Sequence, residues 1–192
     1  MNQQPTDLNA ENGVSQNGID VEKERISDGI NISEHNGRKV VEINTIEFSG
    51  KRKIDWEGVE KYLKQYVGKQ YVIEETSDIV YIGTDFPDEY TNSRYSTKSY
   101  GTIGKAKANA TQAVPELIQT ATEIVYRPNM DDKHKSDAPN GWYRGTVRFS
   151  LPVTDDKGNI TGKNIFRGRM IIRCNSLKKM YLYDIIDIKK ET

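Results

Sequence analysis

Residues 142–153 read WYRGTVRFSLPV and residues 164–174 read NIFRGRMIIRC, and these two runs decide the fold class. Both alternate. In the first, Tyr143, Val147, Phe149 and Leu151 recur on one side and Arg144, Thr146, Arg148 and Ser150 on the other, with slack in the register around Gly145 and Pro152. In the second, Phe166, Met170, Ile172 and Cys174 oppose Arg167, Arg169, Ile171 and Arg173. Successive side chains of an extended chain point to opposite faces, so a period of two predicts half-buried strands. Asp155 to Asn159, containing Lys157-Gly158, predicts the turn between them. A third run, Lys179 to Lys189, sets Tyr181, Tyr183 and Asp187 against Leu182, Asp184, Ile186 and Ile188. The three predict an antiparallel meander. If the first two strands pair, five arginines line one sheet face beside hydroxyls.

Outward from the meander, the chain predicts an α+β domain over residues 37–192, with residues 1–36 a disordered tail or linker. That tail is rich in Asn, Gln, Gly and acidic residues and shows neither period. Lys39 to Phe48 reads as a strand. Trp56 to Val67 puts Trp56, Val59, Leu63 and Tyr66 on one helical stripe, with Asp55 as N-cap and Gly68 as the stop. Gln70 to Glu75 and Asp78 to Gly83 read as two short strands. Residues 85–104 read as a long polar loop; Asp85, Asp88 and Glu89 near Pro87 give it a turn with helix-start character. Lys105 to about Val125 spaces Ala106, Ala110, Ala113, Leu117, Ala121 and Ile124 as a helix, with a kink or a junction expected at Pro115. Residues 127–141 read as a second polar loop.

Lys+Arg and Asp+Glu are equal at 28 each, which argues against binding nucleic acid by bulk charge alone. The balance is uneven: −5 over residues 1–50, −1 over 51–125 and +6 over 126–192. A basic last third points to an anionic partner or to a solvated basic surface. The single cysteine, Cys174, excludes an internal disulfide and a Cys-ligated zinc. No run reaches the roughly 18 apolar residues of a membrane span, and no apolar leader core opens the chain, so the expectation is a cytosolic protein without a membrane partner.

The arginine-lined face is the leading candidate for chemistry. Guanidinium forks match phosphate oxygens and stay charged near neutral pH. With an acid/base residue added, they suit metal-independent RNA cleavage, in which the 2′-hydroxyl attacks its own phosphate. Arg144, Arg148, Arg167, Arg169 and Arg173 are the phosphate candidates. His134, just upstream of the first meander strand, is the acid/base candidate; His35 falls in the expected tail. The plain alternative is a solvated sheet face. Tyr90, Tyr95 and Tyr100 sit in the expected loop, where they would stack on bases or on a partner protein. Asp131, Asp132 and Asp137 around His134 lack the spacing of a metal site, so no metal is expected. GTIGKAK (101–107) departs from the P-loop spacing, and no dinucleotide fingerprint or nucleophile elbow is present, so no cofactor is expected. A second function class stays open: a non-catalytic module that binds a host protein or nucleic acid.

The stretches IDWEGVEKYLKQYVGKQY (54–71), IVYIGTDFPDEYTNSRY (79–95), KAKANATQAVPELI (105–118), KHKSDAPNGWYRGTVRFSLPV (133–153) and MYLYDIIDIKKET (180–192) resemble large polyvalent-protein-associated domains of phages and integrative elements. Several such domains fall in the barnase/EndoU/colicin/RelE class of nuclease-like folds. The resemblance covers residues 37–192. It implies helices followed by an antiparallel sheet that carries the active site. It also implies His134, Tyr143, Arg144 and Arg148 as a signature cluster, with Tyr183 and Asp184 in the closing strand. Two positions depart from the pattern. Gly145 stands where a tyrosine follows the WYR run, and no histidine lies near Arg173 and Cys174.

Overall fold

In a computed structural model, residues 29–50 and 53–191 are described. The expectation for residues 1–28 lies outside them. The chain forms one mixed α+β unit, as the alternation predicts. Strands β1 (Ile30–His35) and β2 (Arg38–Ile43) come first, then helix α1 (Trp56–Leu63) and strands β3 (Gln70–Val72) and β4 (Ile79–Tyr81). Helices α2 (Phe86–Asn92), α3 (Arg94–Thr97), α4 (Gly101–Ala110) and α5 (Val114–Gln119) follow, then β5 (Thr122–Arg127), β6 (Trp142–Thr154), β7 (Ile160–Cys174) and β8 (Met180–Lys190). The sheet order is β1-β2-β6-β7-β8-β4-β3, with β5 added beside β6.

The meander is the centre of this sheet. Antiparallel partners share a face, and the register joins Thr146 to Arg169, Arg148 to Arg167, and Trp142 to Arg173. Arg144 stands opposite Ile171. The opposite face carries Val147, Phe149, Phe166, Met170 and Ile172, all buried. They form the core with Val59, Leu63, Ala106, Leu117 and Ile118 of the helices. Five arginines therefore lie on the face away from that core.

Several expectations need correction. The tail does not extend to residue 36: β1 occupies Ile30–His35 and pairs antiparallel with β2, with Ile30 buried. The strand has only two apolar residues, Ile30 and Ile32, of which only Ile30 is buried, too short an alternation to stand out from the polar sequence before it. The sheet is also not wholly antiparallel, since β2 runs parallel to β6 and β4 parallel to β8. Both contacts are short and join segments distant in the chain. The long loop is instead α2, α3 and the start of α4, and its residues Phe86 and Tyr90 are fully buried. The single helix expected to reach Val125 ends at Gln119, after a break before Pro115. Thr122 onward turns into β5, where Ile124 packs partly buried against the core from a strand. Asp55 is an N-cap, as read: its side chain accepts from the Gly58 N–H at 2.9 Å.

Candidate nucleic-acid interface

β2 and β5 share one edge of β6, β2 against Phe149 and Ser150 and β5 against Trp142 to Thr146. This shared edge builds the site. β5 pairs Val125 with Arg144 and Arg127 with Trp142, which carries Arg127 onto the arginine face. Between Thr122 and Val125 the register slips. Glu123 sits in the slip with φ of +56°, a left-handed conformation unusual for a residue with a side chain. Its carboxylate accepts from Thr146 Oγ1 at 2.6 Å. Glu123, Val125, Arg127, Arg144, Thr146 and Arg169 line a depression of about 250 Å³. Three guanidinium groups, a hydroxyl and a carboxylate thus meet on the open side of the sheet. In the sequence, Glu123 falls in the last turn of the expected helix and Arg127 at the start of a polar loop, so neither is read as a site residue. Their β-branched neighbours Thr122, Ile124 and Val125 were the signal for a strand.

The five meander arginines differ in what already holds them. Arg148 is 8% exposed and its Nε donates to Glu191 at 3.2 Å. That pairing withdraws it from any catalytic contact with substrate, because the Glu191 carboxylate takes the place a phosphate would need. Arg173 is tied down more fully. Nη2 donates to Asp85 at 2.8 Å, Nη1 donates to the Asp137 carbonyl at 3.3 Å, and the guanidinium lies 4.8 Å from the Tyr181 ring centre. Asp85 stands at the start of α2, yet its carboxylate takes Arg173 rather than the helix N–H groups. Arg169 keeps a looser partner, Asp187, at 3.5 Å, and both are about half exposed. Arg144 and Arg167 are exposed and have no carboxylate partner among the described residues.

His134 stands at one end of this face. It closes a short 3-10 turn (Asp132–His134) capped by Asp131, whose side chain accepts from the Lys133 N–H at 2.9 Å. The imidazole packs edge-on against Trp142, centre to centre 5.7 Å, and against Tyr183 at 6.2 Å. Nδ1 lies 3.4 Å from Asp137 Oδ2, and a quarter of the side chain is exposed. Asp137 therefore faces His134 with its carboxylate and Arg173 with its backbone carbonyl. Burial and the Glu89 carboxylate hold the Tyr183 hydroxyl well above its ordinary value, so it stays protonated.

The signature cluster does not converge as a unit. Tyr143 pairs with Ile172 and lies on the core side, against Tyr126, while Arg144 and Arg148 point the other way. A period of two puts neighbours on opposite faces, so Tyr143 cannot work beside them. Burial raises its hydroxyl as well. Asp184 is buried in an ion pair with Lys107. Gly145 has a local reason: a Cβ there would meet Ile124 Cδ1 at 2.5 Å. Of the three loop tyrosines, Tyr90 is fully buried and its hydroxyl donates to the Lys107 carbonyl at 2.7 Å, so it meets no partner. Tyr95 is half-buried and Tyr100 is exposed. No cluster of three or more metal-ligating side chains occurs among the described residues, and none of their helices is long and apolar enough to cross a membrane. No family model, curated protein or solved structure matches the chain.

Proposed function

We propose that the core-free face of the sheet binds the phosphodiester backbone of RNA, and that the chain is a nuclease-like domain of mobile-element type. The observation that carries this reading is the depression in which Arg127, Arg144 and Arg169 surround Glu123 and Thr146. Uncommitted guanidinium groups on an open surface serve phosphate recognition better than they serve packing. Arg144 and Arg127 supply the charge, with Arg169 released from Asp187 when phosphate arrives. Arg173 and Arg148 position their neighbours instead.

Cleavage in this reading needs no metal. Glu123, held by Thr146, takes the proton of a 2′-hydroxyl. The 2′-oxygen then forms a bond to phosphorus while the bond from phosphorus to the 5′-oxygen breaks. Water in the open depression supplies the proton to the departing 5′-oxygen, leaving a 2′,3′-cyclic phosphate; His134 packs on Trp142, outside the lining of the depression, and takes no part in this step. The arginines stabilise the extra charge on the phosphorane. A second reading, a non-catalytic module that holds RNA or a host protein on the same face, is favoured by the carboxylates already engaging Arg148, Arg169 and Arg173.

The test uses the full chain and a labelled single-stranded oligoribonucleotide. Binding is expected at low salt and is lost in Arg144→Gln/Arg169→Gln. Cleavage is expected to fall about 10²–10⁴-fold in Glu123→Gln, while binding persists, and to be little changed in His134→Ala. Binding without cleavage in the native chain selects the second reading with RNA as ligand. An absence of both removes RNA from the reading altogether.

A further inference from the structure

A second cleft, of about 230 Å³, lies across β8 from the arginine depression. Its origin is topological. β4 meets β8 only at Val80–Tyr81 against Met180–Tyr181, so from Leu182 onward β8 has no strand on its outer side among the described residues. At Ile185 this edge is closed from within: the Lys107 ammonium takes the Ile185 carbonyl at 2.6 Å, and Asp184 Oδ1 takes the Ile185 N–H at 2.7 Å. Just beyond, the edge opens. Asp187 bulges out with φ of +52°, at the point where the pairing to β7 skips a residue. Arg94, Tyr95 and Lys98 of α3 and its C-terminal end then face Ile103, Ile186 and Asp187 across the gap.

Two features distinguish this cleft from a packing gap. The Arg94 guanidinium lies 5.0 Å from the Tyr95 ring centre and its Nη2 donates to Tyr95 Oη at 3.0 Å, a cation held beside an aromatic at the mouth. Lys98 adds a second exposed charge, above an apolar wall of Ile103 and Ile186. The cleft is also joined to the first depression. Arg169 lines that depression, and its partner Asp187 lines this cleft. A basic path therefore runs across the strands: Arg127 and Arg144, then Arg169, then Arg94 and Lys98.

Resting on the RNA reading, we propose that this cleft is a second subsite, and that the ligand is single-stranded RNA crossing the strands from β5 to α3. Its phosphates meet Arg94 and Lys98, and one base enters against Tyr95 and the isoleucine wall. Adjacent strands lie about 4.8 Å apart, so the path spans several nucleotides and a trinucleotide in the first depression does not reach α3. A duplex does not fit, since its bases are stacked and cannot enter two separate clefts.

The test compares a labelled three-nucleotide and a ten-nucleotide single-stranded RNA on the full chain, measured by fluorescence anisotropy across salt. Arg94→Gln/Lys98→Gln, both exposed, is expected to weaken the ten-nucleotide RNA roughly tenfold and to reduce its salt slope by about 1.4, two phosphates' worth for a single strand. The trinucleotide affinity is expected to stay unchanged. Tyr95→Ala is expected to weaken the longer RNA with its salt slope preserved. If the double variant leaves both lengths unaffected, or weakens both equally, the second subsite is wrong while the RNA reading stands. If the native chain binds neither RNA at low salt, or binds a ten-base-pair duplex as tightly as the single strand, the proposal falls. In the first of those cases the RNA reading falls with it.

Discussion

Replacing Lys107 with methionine would show how the buried ion pair holds the helix layer on β8. Lys107 is 2% exposed. Its ammonium donates to Asp184 and to the Ile185 carbonyl, and lies 4.1 Å from the centre of the Tyr90 ring. Methionine fills a similar volume and donates nothing. Asp184 then keeps only the Ile185 N–H and Ser93 as partners. Removing one member of a buried pair costs about 3–5 kcal/mol, because the other charge is left uncompensated. For a chain of this size each kcal/mol moves the melting midpoint by about 2–4 °C, so Tm is expected to drop by roughly 6–20 °C at neutral pH. The pH dependence separates this cause from simple loss of packing. Burial raises the Asp184 carboxyl and lowers Lys107, and each partner pulls the other part of the way back. Without Lys107 the strongest pull back is gone, and only Ser93 and the Ile185 N–H still favour the charged carboxylate. A raised folded-state pKa gives stability that is fully present below the unfolded value of about 3.9 and is lost as pH rises through the folded value. Lys107→Met is therefore expected to be more stable at pH 5 than at pH 8, by urea denaturation, relative to the native chain. Lys107→Met/Asp184→Leu, which removes both charges, is expected to lose less than the single variant and to show no such gain in acid. A single variant within 1 kcal/mol of native, or one whose relative stability is flat between pH 5 and pH 8, refutes the reasoning.

Three further outcomes follow from particular contacts. Gly145→Ala is expected to cost about 1 kcal/mol, because only the mobile end of Ile124 has to move, whereas Gly145→Tyr is expected to cost about 3 kcal/mol or more in a urea melt; equal costs would contradict the geometry. Glu123→Gly is expected to keep or slightly raise stability, since glycine adopts the left-handed backbone at no steric cost, while abolishing any RNA cleavage; a loss above 1 kcal/mol would mean that the Thr146 contact matters more than the strain. Lys163 holds Glu42 below its ordinary value and Lys39 does the same for Glu74, so these pairs support the fold above the unfolded carboxylate value and are lost as pH falls through the lowered ones. Lys39→Met/Lys163→Met is expected to flatten the acid limb of the stability profile between about pH 5 and pH 3, and an unchanged limb counts against both pairs.

The sequence by itself determined the meander, the turn at Asp155 to Asn159 and the common face of Arg144, Arg148, Arg167, Arg169 and Arg173. Alternation is a property of the extended backbone, and once β6 and β7 pair, the pleat carries it into space unchanged. The helix at Trp56 was equally legible, because its cap and its stripe are local. Only the tertiary structure decided which arginines stay open to a ligand. Arg148 finds Glu191 from 43 residues away and Arg173 finds Asp85 from 88 residues away, and no periodicity records such partners. The same holds for Tyr90, whose polar neighbours suggested a loop but whose ring is buried beneath Lys107. Glu123 and Arg127 reached the site because β5 takes half of the β6 edge and leaves the other half to β2. That division depends on which segments compete for one row of backbone hydrogen bonds, a contest settled only when the whole chain is folded.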